Sequence, residues 1–341
     1  WRPLHESFGV IHSFGSEGLI MPKLRVGQLD FVDGLVAQRP RARPSALMEI
    51  ARLVDWAAFE KLLSAIPVAA RGEPSYPALV MFKALLLQRW HGLSDPEMET
   101  ALADRLSFMA FAGLSLGDPT PDHSTIWRFR EKLGVHGLLD KLLAEANRQI
   151  EAAGLMVKEG TLIDATLVTS AARRPRMDEG KTSATDPEAR FGTTNDRGRF
   201  AFGYKMHVAV DAGSGFVCDM KLTPANIQDV AVAPHLLDHA AGVVYADRGY
   251  DSDGLRRELA RRGLGDGLMR RKRGQPLSPA EVERNHELSL VRRAVESVFG
   301  TMKRSYRLGR MRAFTQLRNA ADLTLFCLAF NLRRWRVLAV A

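Results

Sequence analysis

The sequence predicts an α/β protein in two parts, an all-helical domain followed by a domain built on a sheet. Three observations predict it. From about Ser45 to Leu155 apolar residues recur at helical spacing, with almost no strand alternation. After Gly160 β-branched and alternating runs take over, and helical segments separate the later ones. At 341 residues, 46% of them hydrophobic, the chain can bury a core in each part, which excludes a wholly disordered protein.

Residues 1–20 are set aside as an added or upstream leader, because the chain opens on Trp1, has no Met before Met21 and lacks a targeting pattern. The helical domain is assigned to 21–155. Leu79, Phe82 and Leu86 mark one buried helix face, and Leu53 and Ala57 another. Ser94 followed three positions later by Glu97 is a capping box, opening a helix predicted to carry Met98, Leu102, Leu106 and Met109. A turn is expected from Gly113 to Pro121. Asp122 or Ser124 then caps a helix over Thr125 to Leu133, with Ile126, Phe129 and Leu133 inward and Arg128, Arg130 and Lys132 outward. Two capped helices with a basic second member fit a helix-turn-helix that offers Arg128 and Arg130 to DNA; a merely solvated basic face is the alternative.

The second domain is assigned to 156–341. Thr161 to Thr169 is a β-branched strand, and Tyr204 to Asp211 and Phe216 to Leu222 form a hairpin around Asp-Ala-Gly-Ser-Gly. A helix is expected from Gln228 to Ala240, a strand from Gly242 to Ala246, a helix from Asp253 to Arg262 and a short strand at Leu268 to Met269. A strand hairpin followed by alternating strands and helices is the order of an RNase H-like α/β domain. The stretch 170–203 has no apolar period and is expected to be a mobile loop, with Arg173, Arg174 and Arg176 suited to a phosphate backbone.

The net charge of +9 favours an anionic partner, nucleic acid or an acidic membrane face. Arg256 to Arg310 holds 15 basic and 6 acidic residues, equal to the whole excess. No run of 18 apolar residues exists, so no membrane span is expected. Cys218 and Cys327 match no metal or disulfide spacing; they suit a reducing, cytoplasmic compartment and packing as small apolar residues.

Three carboxylates stand out. Asp164 lies inside an apolar strand, where aspartate needs a partner, a hydrogen bond or a metal. Asp247 follows Val243-Val244-Tyr245-Ala246, at the carboxyl end of a strand where open α/β sheets place their sites. Glu296 lies on a helix whose buried stripe is expected to be Val291, Val295, Val298 and Met302, with Arg292 and Lys303 on its own face. Singly, each has an ordinary structural explanation as a turn residue, an ion pair or a solvated charge. Together they arrive in the order early strand, later strand, late helix, with separations of 83 and 49.

That conjunction resembles the DDE transposases of the insertion-sequence-five family, close to the wider insertion-sequence-four group. The segments that carry the resemblance are LIDAT around Asp164, GYKMHVAVD at 203–211, TPANIQD at 223–229, ADRGYDS around Asp247, VRRAVESVFGTMKR at 291–304 and PDHSTIWRFR at 121–130. It runs from roughly 45 to 335 and is specific because several motifs keep one order. Arg292, Glu296 and Lys303 match the family's spacing on the glutamate helix. Ser289 stands where the family has tyrosine, so stacking by that side chain is not implied here.

The resemblance implies Asp164, Asp247 and Glu296 as catalytic residues holding two Mg²⁺ ions, with Mn²⁺ as a substitute, since carboxylates suit hard cations and two-metal chemistry suits phosphodiester cleavage and transfer. Arg292 and Lys303 would grip phosphates, and Lys205 and His207, which alternation puts on one strand face, would lie near the scissile backbone, with a surface or hydrogen-bonded role as the equal alternative for His207. The implied partners are double-stranded DNA, as terminal inverted repeats and target, and a second copy of the chain. A transposase-derived DNA-binding regulator without catalysis and a plain RNase H-type nuclease are the competing readings.

Overall fold

The structure is a computed structural model that describes residues 24–28, 45–67, 75–176, 182–193, 200–306 and 308–340. The leader assigned to 1–20 lies outside the described residues.

Among the described residues seven helices precede the sheet: α1 (Ala46–Leu53), α2 (Trp56–Leu63), α3 (Ala78–His91), α4 (Asp95–Asp104), α5 (Leu106–Ala112), α6 (His123–Val135) and α7 (Leu138–Ala152). Buried side chains run all round α3 from Val80 to Trp90, so it forms the centre of the helical part. The capping box opens α4 as the spacing predicts, with Ser94 Oγ accepting from Glu97 N and the Glu97 carboxylate accepting from Ser94 N. The single helix expected through Met109 is instead two. Arg105 takes an extended conformation (φ −106°, ψ 104°), which leaves Leu106 exposed and turns Phe108, Met109 and Phe111 into the core. Asp122 caps α6, its carboxylate accepting from Thr125 N at 2.6 Å.

Among the described residues the sheet has six strands: β1 (Gly160–Thr169), β2 (Arg190–Thr193), β3 (Phe200–Asp211), β4 (Val217–Pro224), β5 (Val243–Ala246) and β6 (Gly265–Leu268). β3 pairs antiparallel with β1, with β4 and, at its start, with β2. On its other side β1 pairs parallel with β5, and β5 with β6. The hairpin turn is locked by Asp211, whose carboxylate accepts from Ser214 N at 2.7 Å and Lys158 N at 2.8 Å. The helix expected over 228–240 is cut to α8 (Asp229–Val232) and a short 3-10 turn, because Pro234 removes a backbone donor and crowds the preceding turn. Then come α9 (Asp253–Arg261), α10 (Pro279–Tyr306) and α11 (Gln316–Val340).

Alternation along β1 divides its neighbours. Leu162 and Val168 join the core that holds Val295 and Met302 of α10, whereas Ile163 joins Leu236, Leu255 and Leu259 on the other face. Val291, expected in the buried stripe of α10, is exposed; Phe299 is buried instead.

The boundary at 155/156 does not separate two cores. α11 packs against α3, α6, α7 and β4, so one apolar cluster runs from Phe82 and Leu142 through Phe326 and Leu328 to Val208. Asn331 fastens this junction, accepting from Val217 N at 2.9 Å and donating to Val217 O and to Asn147 Oδ1 at 2.8 Å. Trp90 Nε1 donates to Ala329 O at 2.7 Å. The described part of the stretch 170–203, expected to be mobile, is anchored. Its fully buried Asp186 accepts from Ser170 Oγ at 2.5 Å, from Tyr204 Oη and from Thr315 N at 3.3 Å, and β2 adds to the sheet. A carboxylate placed among donors from three segments was not visible as such in a run without apolar period. Among the described residues no helix is long and apolar enough to cross a membrane.

Candidate active site

Asp164 sits at the middle of β1, on the face covered by α10. Leu162 pairs with Tyr245 in the parallel register, so the next same-face step sets Asp164 beside Asp247, just past the end of β5. Asp164 Oδ1 accepts from Ala165 N at 2.8 Å and Oδ2 from Arg292 Nη2 at 3.1 Å. Burial pushes its carboxyl up to about 6; Arg292 and the Ala165 amide pull it down, and the charges of Asp247 and Asp229 push it up again.

Asp247 starts a 3-10 turn, Arg248–Tyr250, with Oδ1 accepting from Gly249 N at 2.7 Å. A Cβ on residue 249 would lie 2.9 Å from that oxygen, so glycine lets the amide approach without displacing the carboxylate. Tyr250 closes the turn fully buried, and its hydroxyl has no hydrogen-bond partner among the described residues. Burial, and then the charges of Asp229, Asp164 and Asp247, hold that phenol well above its ordinary range, so it stays a protonated donor.

Glu296 lies one turn beyond Arg292 on α10. Since Arg292 bonds to Asp164, the helix brings Glu296 to the same side of the sheet. Glu296 is exposed and makes no hydrogen bond or ion pair among the described residues. Arg292 is partly buried against Met269 Sδ at 3.7 Å, with its Nε unpartnered. Lys303 is exposed.

The other expected residues divide. Lys205 Nζ is held by Ile227 O at 2.7 Å and Asp229 Oδ1 at 2.8 Å. His207, expected near the DNA backbone, is a correction: it is fully buried, with Nε2 2.9 Å from Thr223 Oγ1 and Nδ1 3.9 Å from Asp229 Oδ1. Burial lowers its imidazole to about 4 against the pull of Asp229, so it is neutral at neutral pH. Arg130 is a second correction. Its guanidinium turns inward to Asp95 and to Gln88 Oε1 at 2.8 Å, because a half-buried carboxylate on α4 favours a cation beside it; Arg128 and Lys132 remain exposed. The basic excess of 256–310 is also partly spent inside the fold, on Asp251, Asp266, Asp238 and Glu258.

Asp229 and Tyr250 were not singled out in the sequence. Each lies in a motif segment that was, TPANIQD and ADRGYDS, so the signal was present without a stated role. Asp229 acts on Asp164 through its charge and holds Lys205 in place.

The all-oxygen donor set of Asp164 and Asp247 fits a hard divalent cation in kind. Among the described residues no group of three acidic, histidine or cysteine side chains is placed to hold a metal, and Arg292 supplies the positive charge beside Asp164.

A partly buried aspartate, set by the strand register beside a second aspartate at the end of the neighbouring strand, on the face that carries a glutamate helix, defines an acidic site on a mixed sheet. Residues 156–332 match the transposase DDE domain family, and residues 36–132 match a transposase domain of the DUF772 type. The chain belongs to the DDE transposases, enzymes that cut DNA and that as a family work with divalent metal ions. Among solved structures, the chain is similar to the piggyBac transposase in a synaptic complex with hairpin DNA, at 8% identity and a TM-score of 0.40, over 88% of this chain and 76% of that one.

Proposed function

We propose that the chain binds the terminal inverted repeats of an insertion sequence and catalyses strand cleavage and strand transfer, with Asp164, Asp247 and Glu296 as its catalytic residues. The observation that carries this reading is the parallel register of β1 and β5, which sets Asp164 beside Asp247 just past the end of β5, with α10 presenting Arg292 to Asp164. The strand order, four strands joined antiparallel through β3 with two parallel ones beyond β1, supports an RNase H-like catalytic domain over 156–341, preceded by a DNA-binding helical part over 21–155. The motifs support membership in the insertion-sequence-five group.

Asp164, Asp247 and Glu296 would hold divalent ions, Mg²⁺ or Mn²⁺ in its place, which supply an activated oxygen nucleophile and neutralise the leaving oxygen. The chain's own residues do the positioning. Asp164 is fixed by the Ala165 amide, and Asp247 by the Gly249 amide. The buried Tyr250 hydroxyl is an unspent donor that feels the charge of both. Arg292, now on Asp164, is one guanidinium that a phosphate could claim as DNA enters, with Lys303 as a second cation two turns after Glu296. Arg128 on α6 remains available to the recognised sequence. Holding two ends at once calls for a homodimer on DNA, acting in the cytoplasm at the nucleoid.

The test is incubation of the protein with labelled terminal-repeat duplex and Mg²⁺. Strand transfer is expected. Cleavage alone would indicate a nuclease, and binding alone a regulator. Asp164→Ala is expected to bind the duplex about as tightly as the parent and to lose cleavage entirely; normal cleavage by this variant removes Asp164 from the mechanism.

A further inference from the structure

Four consecutive basic residues, Arg270-Arg271-Lys272-Arg273, follow β6 in a surface loop. Such a run is costly to order, because like charges crowd together and the backbone loses its freedom. Here two buried polar side chains are committed to fixing that backbone. Asn285 of α10, 3% exposed, accepts from Arg270 N at 2.8 Å and donates to Arg270 O at 2.9 Å. Asp251, its side chain 2% exposed, accepts from Arg271 N at 2.8 Å and from Arg256 Nη2 at 2.8 Å. Arg273 reaches back to Asp251 O at 2.9 Å, and Gly274 (φ 78°) closes the turn. The side chains of Arg271 and Lys272 stay exposed and make no hydrogen bond or ion pair among the described residues.

The pins also locate the loop. Asp251 lies four residues past Asp247, on the turn that Asp247 begins, and Asn285 lies two turns before Arg292 on the same helix. Met269, immediately before the loop, touches Arg292, which touches Asp164. The loop therefore stands at the rim of the acidic site, held by the same elements that hold the two aspartates.

We infer that this pinned loop is a second grip on the DNA backbone, with Arg271 and Lys272 taking phosphates of the duplex next to the scissile bond. The inference rests on the reading of the protein as acting on duplex DNA, and it names a contact surface separate from Arg292 and Lys303. Backbone capture by exposed cations is independent of base sequence and is measured by its salt dependence.

The experiment measures affinity against salt concentration for the full chain and the double variant Arg271→Ala, Lys272→Ala. Two labelled duplexes are used, one carrying the terminal repeat and one with its sequence scrambled. Each lost contact is expected to reduce the slope of log K against log salt by about 0.9, so the pair reduces it by about 1.8, equally on both duplexes. The thermal midpoint should not move. Asn285→Ala, which keeps every charge but frees the loop, is expected to weaken binding to both duplexes. An unchanged slope in a folded double variant overturns the grip, as does a loss confined to the terminal-repeat duplex. A parent protein that binds duplex through these residues yet never cuts would overturn the catalytic reading and leave the grip standing. One that binds no duplex overturns both.

Discussion

Asp164 carries a charge that folding discourages. Its folded carboxyl, at about 6, lies above the ordinary 3.8, a gap worth roughly 3 kcal/mol. A carboxyl raised in this way favours the folded state while protonated, so its contribution is full below about 4 and is lost as pH rises through 6. In chelator, Asp164→Asn is therefore expected to melt higher than the parent at pH 8, by up to a few degrees, with the difference shrinking toward pH 4. A constant difference across that range would show that the carboxyl is not desolvated. Among single residues, the aspartates were legible because a carboxylate in an apolar strand is conspicuous. His207 and Arg130 were misplaced because alternation and helical period say which face a side chain shares, not whether that face is covered. A neutral His207 against Thr223 and an Arg130 paired with Asp95 both depend on partners distant in the chain.

At the scale of elements, the described residues 170–176 and 182–193 show how far one carboxylate can organise stretches with little apolar content. Asp186 holds β1's exit, β3 through Tyr204 and the start of α11 through Thr315. Asp186→Ala leaves three donors without that acceptor in a dry interior. It is expected to cost about 2–4 kcal/mol and to speed amide exchange across 182–193 more than in the central strands. Uniform exchange changes would mean that these stretches are not separately held. Most elements were legible from period and capping, since Ser94, Asp122 and the hairpin turn act locally. The errors came where a local rule met packing: the break at Arg105, the exposure of Val291, and the helix shortened at Pro234.

At the scale of the whole molecule, α11 gives the helical part and the sheet a common core, so the two are expected to unfold as one cooperative unit. Arg89 of α3, almost fully buried, is held by Asp322 of α11, with Nη1 to Oδ2 at 3.0 Å; burial lowers the guanidinium to about 10, still charged at neutral pH. Asp322→Ala strands that cation and is expected to cost about 3–5 kcal/mol, lowering one calorimetric transition for the entire chain. Two resolved transitions would mean that the halves melt apart. The two halves are distinguishable along the sequence because their periodicities differ. Their common core was not, because the helix that joins them lies at the far end of the chain.

One consequence follows from Asn331 and Trp90, which bolt that last helix to both sides. On the proposed function, a protein built this way would work like a caliper with a fixed gap. If α6 reads the end of a mobile element, the bond that is broken sits a set number of base pairs away. Inserting about half a helical turn of DNA, roughly 5 base pairs, would rotate the bond to the far side of the duplex, out of reach of the acidic pair.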